Sequence, residues 1–164
     1  MRAAEAAARL RPGRYDEPEV VAMTAEVQAE YGRIYGGDGD ASAIEADEFI
    51  PPRGHFVVLE VGGAVVAMGG WRRGGPAGES DAEIKRMYVR PAHRGRGWSR
   101  VVLAEIERTS AASGVRRLVL ATGVRQPVAV GLYRAAGYED VEPFGHYRYH
   151  EGGVHLAKVL TPDD

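Results

Sequence analysis

Hydrophobic residues recur every three to four positions in the first third of the chain, a spacing typical of a helix with one buried face. This stripe consists of Val20, Thr24, Val27, Tyr31 and Ile34. Asp16 and Glu19 have capping-box spacing, which predicts that the helix begins at Asp16. A second capping-box spacing, from Ser42 to Glu45, predicts a short helix that stops before Pro51.

The period changes to two near residue 55, which predicts strands. Two β-rich runs meet at Gly62 and Gly63, a strong signal for a two-residue hairpin. Residues 82–89 form the next predicted strand. Strict alternation would place Glu83, Lys85 and Met87 on one face and Ile84, Arg86 and Tyr88 on the other.

The rest of the chain alternates helices and strands. A helix with Val102, Leu103 and Ile106 in its stripe precedes the apolar strand "RRLVLATG". A short helix, "PVAVGLYRAAG", and the strand "VHLAKVL" complete the order. This order predicts an α/β (α+β) fold in which helices cover a mixed sheet. We expect residues 1–164 to form a single domain, because this length suits one hydrophobic core.

Composition narrows the classes of function. Hydrophobic residues make up 45% of the chain and charged residues 27%, the balance of an ordinary globular domain. A formal net charge of -2 argues against a dedicated nucleic-acid-binding protein. The chain has no cysteine, which excludes disulfides, thiolate ligands and thiol nucleophiles. It shows neither a signal-peptide pattern nor an apolar run of about 18 residues, so we expect a cytoplasmic location and no membrane association.

Metal-site patterns are weak. His146 and His150 are four residues apart, but their segment reads as loop or strand and offers no third ligand at a helical metal-binding spacing. The acidic stretch over residues 36–48 lacks the glycine and glutamate positions of a calcium-binding loop. We therefore predict that the protein has no metal site.

The stretch "RPAHRGRGWSR", residues 90–100, links the strand 82–89 to the next helix. Free N–H groups and the dipole at a helix N-terminus favour anions, and glycines let a phosphate approach the backbone. The stretch matches neither the nucleotide P-loop nor the dinucleotide fingerprint. Three interpretations stay open from these residues alone: a solvated turn, a diphosphate-binding loop, and a nucleic-acid-binding surface. The last would use Arg86, Arg90, Arg94, Arg96 and Arg100.

Two motifs add a resemblance to a known family. "YVRPAHRGRGWSR" resembles the acyl-CoA-binding motif of the GCN5-related N-acetyltransferase (GNAT) superfamily, bacterial type, with Arg94, Gly97 and Ser99 at its three marked positions. Ser99 departs from the usual Gly or Ala but is small. "TGVRQPVAVGLYRAAGY", residues 122–138, is similar to a later strand and helix of that family. The resemblance covers about residues 55–160. It implies the GNAT acyl-CoA acyltransferase fold, with a mixed, mostly antiparallel central sheet flanked by helices.

The resemblance also implies an activity and roles for individual residues. The protein would transfer the acetyl group of acetyl-CoA directly to a primary amine. Because an alkyl ammonium with a pKa near about 10 is protonated at neutral pH, a general base is needed, and Glu83 is the candidate. Tyr133 would protonate the departing thiolate. The cofactor-binding residues would be Met87, Tyr88 and Val89 along the pantetheine arm, Arg94, Gly95, Arg96, Gly97, Trp98 and Ser99 around the diphosphate, and Gln126.

Each of these roles has an alternative. Glu83 could instead pair with Lys85 or Arg86, Tyr133 could be a core residue, and the whole protein could be a non-catalytic acyl-CoA sensor.

The acceptor would be a small-molecule or peptide amine, and we expect neither nucleic acid nor a membrane as a partner. A homodimer is left open. We further expect five acidic residues to line the acceptor entrance: Asp38, Asp40, Glu45, Asp47 and Glu48.

Overall fold

The computed structural model describes residues 7–37 and 44–161. The strands in these ranges are β1 (Ala8–Pro12), β2 (Gly54–Val61), β3 (Ala64–Arg73), β4 (Asp81–Val89), β5 (Arg117–Gly123), β6 (Glu139–Asp140) and β7 (Gly153–Val159). They form a single sheet in the order β1-β2-β3-β4-β5-β7-β6. Neighbouring strands are antiparallel except for β4 and β5, which are parallel. The sheet is therefore mixed and mostly antiparallel, as predicted.

The helices are α1 (Pro18–Tyr35), α2 (Trp98–Ala112) and α3 (Pro127–Ala135), and shorter 3-10 turns span Ala46–Phe49, Gly78–Ser80 and Pro91–His93. α1 packs on one face of the sheet through Val20, Met23 and Val27. α2 and α3 cover the opposite face. Over the described ranges, no helix combines the length and apolarity needed to cross a membrane.

The predicted start of α1 at Asp16 is wrong. Glu17 is the residue that precedes the first turn, and Pro18 is the first helical residue. Proline fits this position because the first helical N–H groups have no intrahelical partner. Asp16 instead binds the guanidinium of Arg14, at 2.9 and 3.1 Å.

The second predicted helix is present as the 3-10 turn Ala46–Phe49, which stops before Pro51. Ser42 lies outside the described residues. The Glu48 carboxylate accepts a hydrogen bond from the backbone N–H of Glu45 at 2.8 Å, so Glu45 takes the capping position.

β1 is absent from the predicted elements. It is an edge strand that pairs with β2 and sends Leu10 towards the core, while its other residues are largely exposed. A short edge strand with one core-facing residue leaves no clear alternation in the sequence.

The predicted alternation along β4 is also wrong, because the strand contains a bulge. Lys85 pairs with Gly70, whereas Tyr88 pairs with Met68, so two residues of β4 oppose Gly69 alone. The first of them, Arg86, has a φ of 60°. The extra residue moves Tyr88 into the core under α1, while Ile84 stays in the core under α2. A Cβ at position 69 would lie 2.7 Å from the Sδ of Met87, 3.0 Å from Ile106 and 3.1 Å from Val102, so glycine opposite the bulge avoids crowding these side chains.

β4 and β5 pair over only three residues each. Their ladder joins Asp81 to Arg117 and ends where Glu83 pairs with Val119. The remaining parts of the two strands separate, which opens the sheet at its centre. At the closed end, the Asp81 carboxylate accepts two hydrogen bonds from Arg117, both 2.9 Å long.

Candidate active site

The opening between β4 and β5 leads into a cavity of about 690 Å³. α1, the second half of β4, the turn before α2, the end of β5 and the first turns of α3 enclose it. Ten predicted site residues line it: Met87, Tyr88, Val89, Arg94, Gly95, Gly97, Trp98, Ser99, Gln126 and Tyr133. Glu83 and Arg96 lie outside this lining. Residues far apart in sequence thus share one wall because the sheet opens at its centre.

The turn before α2 presents its backbone to the cavity. Gly95 and Gly97 have φ values of 78° and 83°, a region that glycine adopts without strain. A Cβ added at either glycine would meet no described heavy atom within 4 Å, so the space beside the backbone is open. Gly97 directly precedes the first turn of α2, whose free N–H groups favour an anion.

Two buried nitrogen atoms beside this turn have no hydrogen-bond partner among the described residues. They are the Nε1 of Trp98 and the Nδ1 of His93, and both side chains line the cavity. A buried polar atom without a partner costs free energy unless a ligand or water satisfies it. Together with the open glycine backbone, these atoms fit a phosphate-bearing ligand such as coenzyme A.

The Arg94 side chain is already engaged with the protein. It donates to the carbonyl of Val89 and to the carboxylate of Glu30, each at 2.8 Å, and its guanidinium lies 5.5 Å from the ring centre of Tyr88. The backbone of the turn is therefore more readily available to a phosphate than this guanidinium is.

The arginines of this region do not form one continuous cationic surface. Arg86 donates to the hydroxyl of Tyr15 at 3.1 Å, and Arg90 binds the carboxylate of Glu26. With Arg94 bound to Glu30, three of the five arginines considered for nucleic-acid binding make contacts within the protein.

Tyr133 is buried in α3, and its ring packs edge-on against Tyr138 with 5.5 Å between ring centres. Burial raises the pKa of its hydroxyl, and nearby Tyr31 raises it further. Tyr133 belongs to the core under α2, whereas Tyr31 packs on the core under α1. The two residues therefore meet across the opening between β4 and β5, where a protonated phenol faces the cavity.

Glu83 sits on the α1 side of β4, and its side chain is 18% exposed. Its Oε1 accepts two hydrogen bonds from Arg72, at 3.0 and 3.3 Å, and Arg72 also binds Glu48. Glu83 is thus in an ion pair, the kind of role that the sequence offered as an alternative, and one partner is Arg72 of β3.

Gln126 immediately precedes α3 and lines the cavity. Its Nε2 donates to the hydroxyl of Tyr35 at 2.9 Å, which links the end of α1 to the start of α3. The side chain is therefore held in place beside the opening.

Several aromatic residues of the lining were missed by the sequence reasoning. Tyr35, Tyr147 and His150 form a chain of rings, with centres 5.9 Å apart for Tyr35 and His150 and 6.1 Å apart for Tyr147 and His150. Tyr31 was assigned to the buried stripe of α1. The same helical face contacts the core at Val20 and the cavity at Tyr31, so spacing alone does not separate the two roles.

Of the five acidic residues expected at the acceptor entrance, Asp47 and Glu48 form ion pairs within the protein. Asp47 pairs with Arg53 at 2.8 Å, and Glu48 binds Arg72 and the backbone of Glu45. None of these three acidic residues lines the cavity. Asp38 and Asp40 lie outside the described residues. In the part of the chain that the structure describes, no three His, Cys, Asp or Glu side chains are grouped to hold a metal ion.

A sheet that opens between two parallel strands beside a glycine turn and a helix N-terminus is the architecture of an acyltransferase fold. The sequence model of the Acetyltransferase (GNAT) family matches residues 20–138, and the chain belongs to this family.

Individual relatives agree with this assignment. The chain is 33% identical over 128 residues to an IAA acetyltransferase of Azospirillum brasilense, covering 78% of this chain and 82% of the relative. Among solved structures, the GNAT domain of S. lividans PAT superposes with a TM-score of 0.72 at 24% identity, covering 93% of this chain and 90% of that one. An IAA acetyltransferase from Bacillus cereus gives 0.67 at 17% identity, with 94% and 100% covered. These two structures show that the fold is shared.

Proposed function

We propose that the protein transfers the acetyl group of acetyl-CoA directly to a primary amine, with Glu83 as general base and Tyr133 as general acid. The observation that carries the proposal is the position of Tyr133: a buried, protonated phenol lines the same cavity as the open glycine turn at Gly95 and Gly97. Membership of the GNAT family supports acyl transfer as the reaction class.

Acetyl-CoA supplies the acetyl group as an activated thioester. The backbone of Gly95 and Gly97 would hold its diphosphate, and the free edge of β4 from Met87 to Val89 would bind the pantetheine arm as an added strand does. Trp98 and His93 offer further nitrogen atoms beside the turn. These residues bind and orient the co-substrate in the opening of the sheet.

The catalytic side chains lie on opposite sides of that opening. Glu83 belongs to the α1 face and would take a proton from the acceptor amine. Tyr133 reaches the opening from the α3 side and would protonate the sulfur as the carbon–sulfur bond breaks. Raising the pKa of Tyr133 keeps its proton in place at neutral pH until the thiolate forms.

Replacing Tyr133 with phenylalanine tests the assignment. The ring and its packing against Tyr138 stay, but the proton donor is lost. A positioned acid contributes about 10²–10⁴-fold, so we expect kcat to fall by about 10²-fold or more while KM for acetyl-CoA changes little. Thiol release is measured over a panel of alkyl amines, amino acids and peptide N-termini. IAA belongs in the panel because two relatives are IAA acetyltransferases.

The matched control is Tyr138→Phe, which removes the hydroxyl of a neighbouring buried tyrosine. That hydroxyl donates to Glu107 at 2.8 Å, so its loss should lower stability and leave kcat unchanged. If Tyr133→Phe keeps the wild-type kcat, the assignment of Tyr133 is wrong. Tight acetyl-CoA binding without turnover of any amine would instead favour the non-catalytic sensor.

A further inference from the structure

Three aromatic rings at one side of the cavity have no role in the proposed mechanism. They belong to Tyr35, at the end of α1, and to Tyr147 and His150, in the loop before β7, and all three residues line the cavity. The ring of His150 packs edge-on against both tyrosines, with interplanar angles of 82° for Tyr35 and 80° for Tyr147. We call these three residues the aromatic wall.

Contacts with the rest of the protein hold the aromatic wall in place. The hydroxyl of Tyr35 accepts a hydrogen bond from Nε2 of Gln126 at 2.9 Å. The same hydroxyl lies against the end of β5, because a Cβ added at Gly123 would be 2.5 Å from its oxygen. In the loop before β7, the backbone N–H of His150 donates to the carbonyl of Tyr147 at 3.0 Å. The rings therefore form a preformed surface.

The aromatic wall lies across the opening from the glycine turn before α2. That turn follows β4 and contacts α1 through the ion pair of Arg94 with Glu30. Tyr35 is further along α1, and its partner Gln126 follows β5. A co-substrate held at the glycine turn and along the edge of β4 therefore leaves the aromatic wall uncovered for the second substrate.

The aromatic wall is also close to the proposed acid. Tyr31 precedes Tyr35 by one helical turn, which is about 6 Å along the axis of α1, so the two side chains share one face of the helix. Tyr31 and Tyr133 line the same cavity. An acceptor that packs on the aromatic wall can thus extend its amine past Tyr31 to the acetyl group.

Arg125 adds a positive charge beside the aromatic wall. It follows β5 and lines the cavity. Within residues 7–37 and 44–161 its guanidinium makes one hydrogen bond, from Nη1 to the carbonyl of Ile34 at 3.1 Å, and has no carboxylate partner. A guanidinium has five N–H donors, so most of those of Arg125 can bind an anion. In the same ranges the only carboxylate of the lining is that of Glu30, which binds Arg94.

We propose that the acceptor is a primary amine that carries an aromatic ring and a carboxylate, as an aromatic amino acid does. The inference rests on the proposed function and names its acceptor. The ring packs edge-on or offset against the aromatic wall, the geometry that aromatic pairs prefer. The carboxylate binds Arg125 through charge-assisted hydrogen bonds. An acceptor with a second ammonium group is disfavoured, because the one carboxylate in the described lining already binds Arg94.

The carboxylate is tested with L-phenylalanine and L-phenylalaninamide as acceptors in the wild type and in Arg125→Gln. The measured quantity is the ratio of kcat/KM for the acid to kcat/KM for the amide, and the different basicity of the two amines cancels when variants are compared. Hydrogen bonds to charged groups contribute about 10-fold or more, so this ratio should fall by about 10-fold in Arg125→Gln. The KM for acetyl-CoA should stay the same.

Arg148→Gln is the matched control. Arg148 is also an exposed arginine that donates from Nη1 to a backbone carbonyl, that of Gly145 at 3.0 Å, but it does not line the cavity. Its loss should leave the ratio unchanged. An equal fall in both variants, or an unchanged ratio with a raised KM for acetyl-CoA in Arg125→Gln, overturns the proposal.

The ring is tested by Tyr147→Leu, with Tyr149→Leu as its control. Tyr149 belongs to the same loop but is exposed and does not line the cavity. Aromatic pairs contribute about 2- to 10-fold beyond the burial of their surface, so the preference for L-phenylalanine over L-alanine should fall by that factor in Tyr147→Leu. The preference should stay at the wild-type level in Tyr149→Leu, and equal falls in the two variants contradict the role of the aromatic wall.

A further measurement does not depend on activity. Isothermal titration calorimetry in the presence of CoA compares the binding of N-acetyl-L-phenylalanine with that of N-acetyl-L-phenylalaninamide. The acid should bind the wild type about 10-fold more tightly than the amide, and Arg125→Gln should remove the difference. If Arg125→Gln does not fold, the comparison in the wild type decides.

These measurements separate the two possible failures. If the wild type acetylates no amine but binds N-acetyl-L-phenylalanine more tightly than its amide, the proposed function fails and the assigned binding site stands. If amines are acetylated but the ratio of acid to amide is the same in the wild type and in Arg125→Gln, the assigned acceptor is wrong and the proposed function stands. A higher kcat/KM for an alkyl diamine than for L-phenylalanine also overturns the assigned acceptor.

Discussion

Asp81→Asn tests how the closed end of the opening between β4 and β5 is held together. Asp81 is 1% exposed and accepts two hydrogen bonds from Arg117 at 2.9 Å and one from the backbone N–H of Ala77 at 2.7 Å. Asp81 and Arg117 form the first pair of the short parallel ladder. The substitution keeps the shape of the side chain and removes its charge.

The size of the effect follows from burial. Removing one partner of a buried ion pair typically costs about 3–5 kcal/mol, because the other charge is left uncompensated. Arg117 is 28% exposed and keeps part of its hydration, so we expect the free energy of unfolding to fall by about 2–4 kcal/mol. For a protein of this size that corresponds to a melting temperature lower by about 5–15 °C.

Urea denaturation at pH 7 measures the difference, and Asp140→Asn is the matched control. Asp140 also accepts two hydrogen bonds from one arginine, Arg134, but it is 69% exposed. Exposed ion pairs contribute little, so this variant should unfold like the wild type. Equal losses in the two variants, or a loss below about 1 kcal/mol in Asp81→Asn, would refute the reasoning from burial.

The pH dependence gives an independent check. Burial alone would raise the pKa of Asp81, but the hydrogen bonds from Arg117 and Ala77 outweigh it and lower the pKa below 3.8. A lowered pKa in the folded state adds stability that is complete above the unfolded value and is lost as pH falls through the folded value. The gap between wild type and Asp81→Asn should therefore be full at pH 7 and narrow only below about pH 4.

Two further predictions concern glycine at the site and a buried hydrogen bond. Gly97→Ala places a side chain at a φ of 83°, which costs about 1–2 kcal/mol, so KM for acetyl-CoA should rise by about 5- to 30-fold in steady-state assays. Gly131→Ala, in the exposed middle of α3, should instead stabilise the protein by up to about 1 kcal/mol. If Gly97→Ala and Gly131→Ala had the same KM for acetyl-CoA, the strain argument would be contradicted. Trp71 is buried and donates its indole N–H to Thr109 at 3.0 Å, so Thr109→Val should lower the unfolding free energy by about 1–3 kcal/mol. Thr109→Ser keeps the oxygen and should lose less; equal losses would show that packing, not the hydrogen bond, is at work.

Local sequence patterns predict most of the fold. The three helices and the strands β2, β3, β4, β5 and β7 appear where the spacing of apolar residues places them. The type of turn at Gly62 and Gly63 is also local, since both residues adopt positive φ. Periodicity and turn chemistry depend on residues within a few positions of one another, so a single chain segment is enough to predict its own element. The edge strand β1 and the two-residue β6 have too few core-facing residues to show a recognisable spacing.

The glycine turn before α2 was equally visible in the sequence, because its glycines and the start of α2 are adjacent. The surroundings of Glu83 were not. The bulge at Arg86 depends on Gly69 of another strand, and the ion pair of Glu83 depends on the register between β3 and β4. Neither feature can be inferred from the sequence of the strand that contains Glu83.

The amino-acid order by itself determined a set of segments with their own periods, the glycine turn before α2 and the family to which the chain belongs. Tertiary structure decided which side chains share the opening. Gln126 lies 91 positions from Tyr35, and only the order of the strands beneath α1 and α3 brings both to one cavity. The physical reason is that contacts across a sheet are fixed by strand order and register, which arise from the packing of the whole core and not from any single segment.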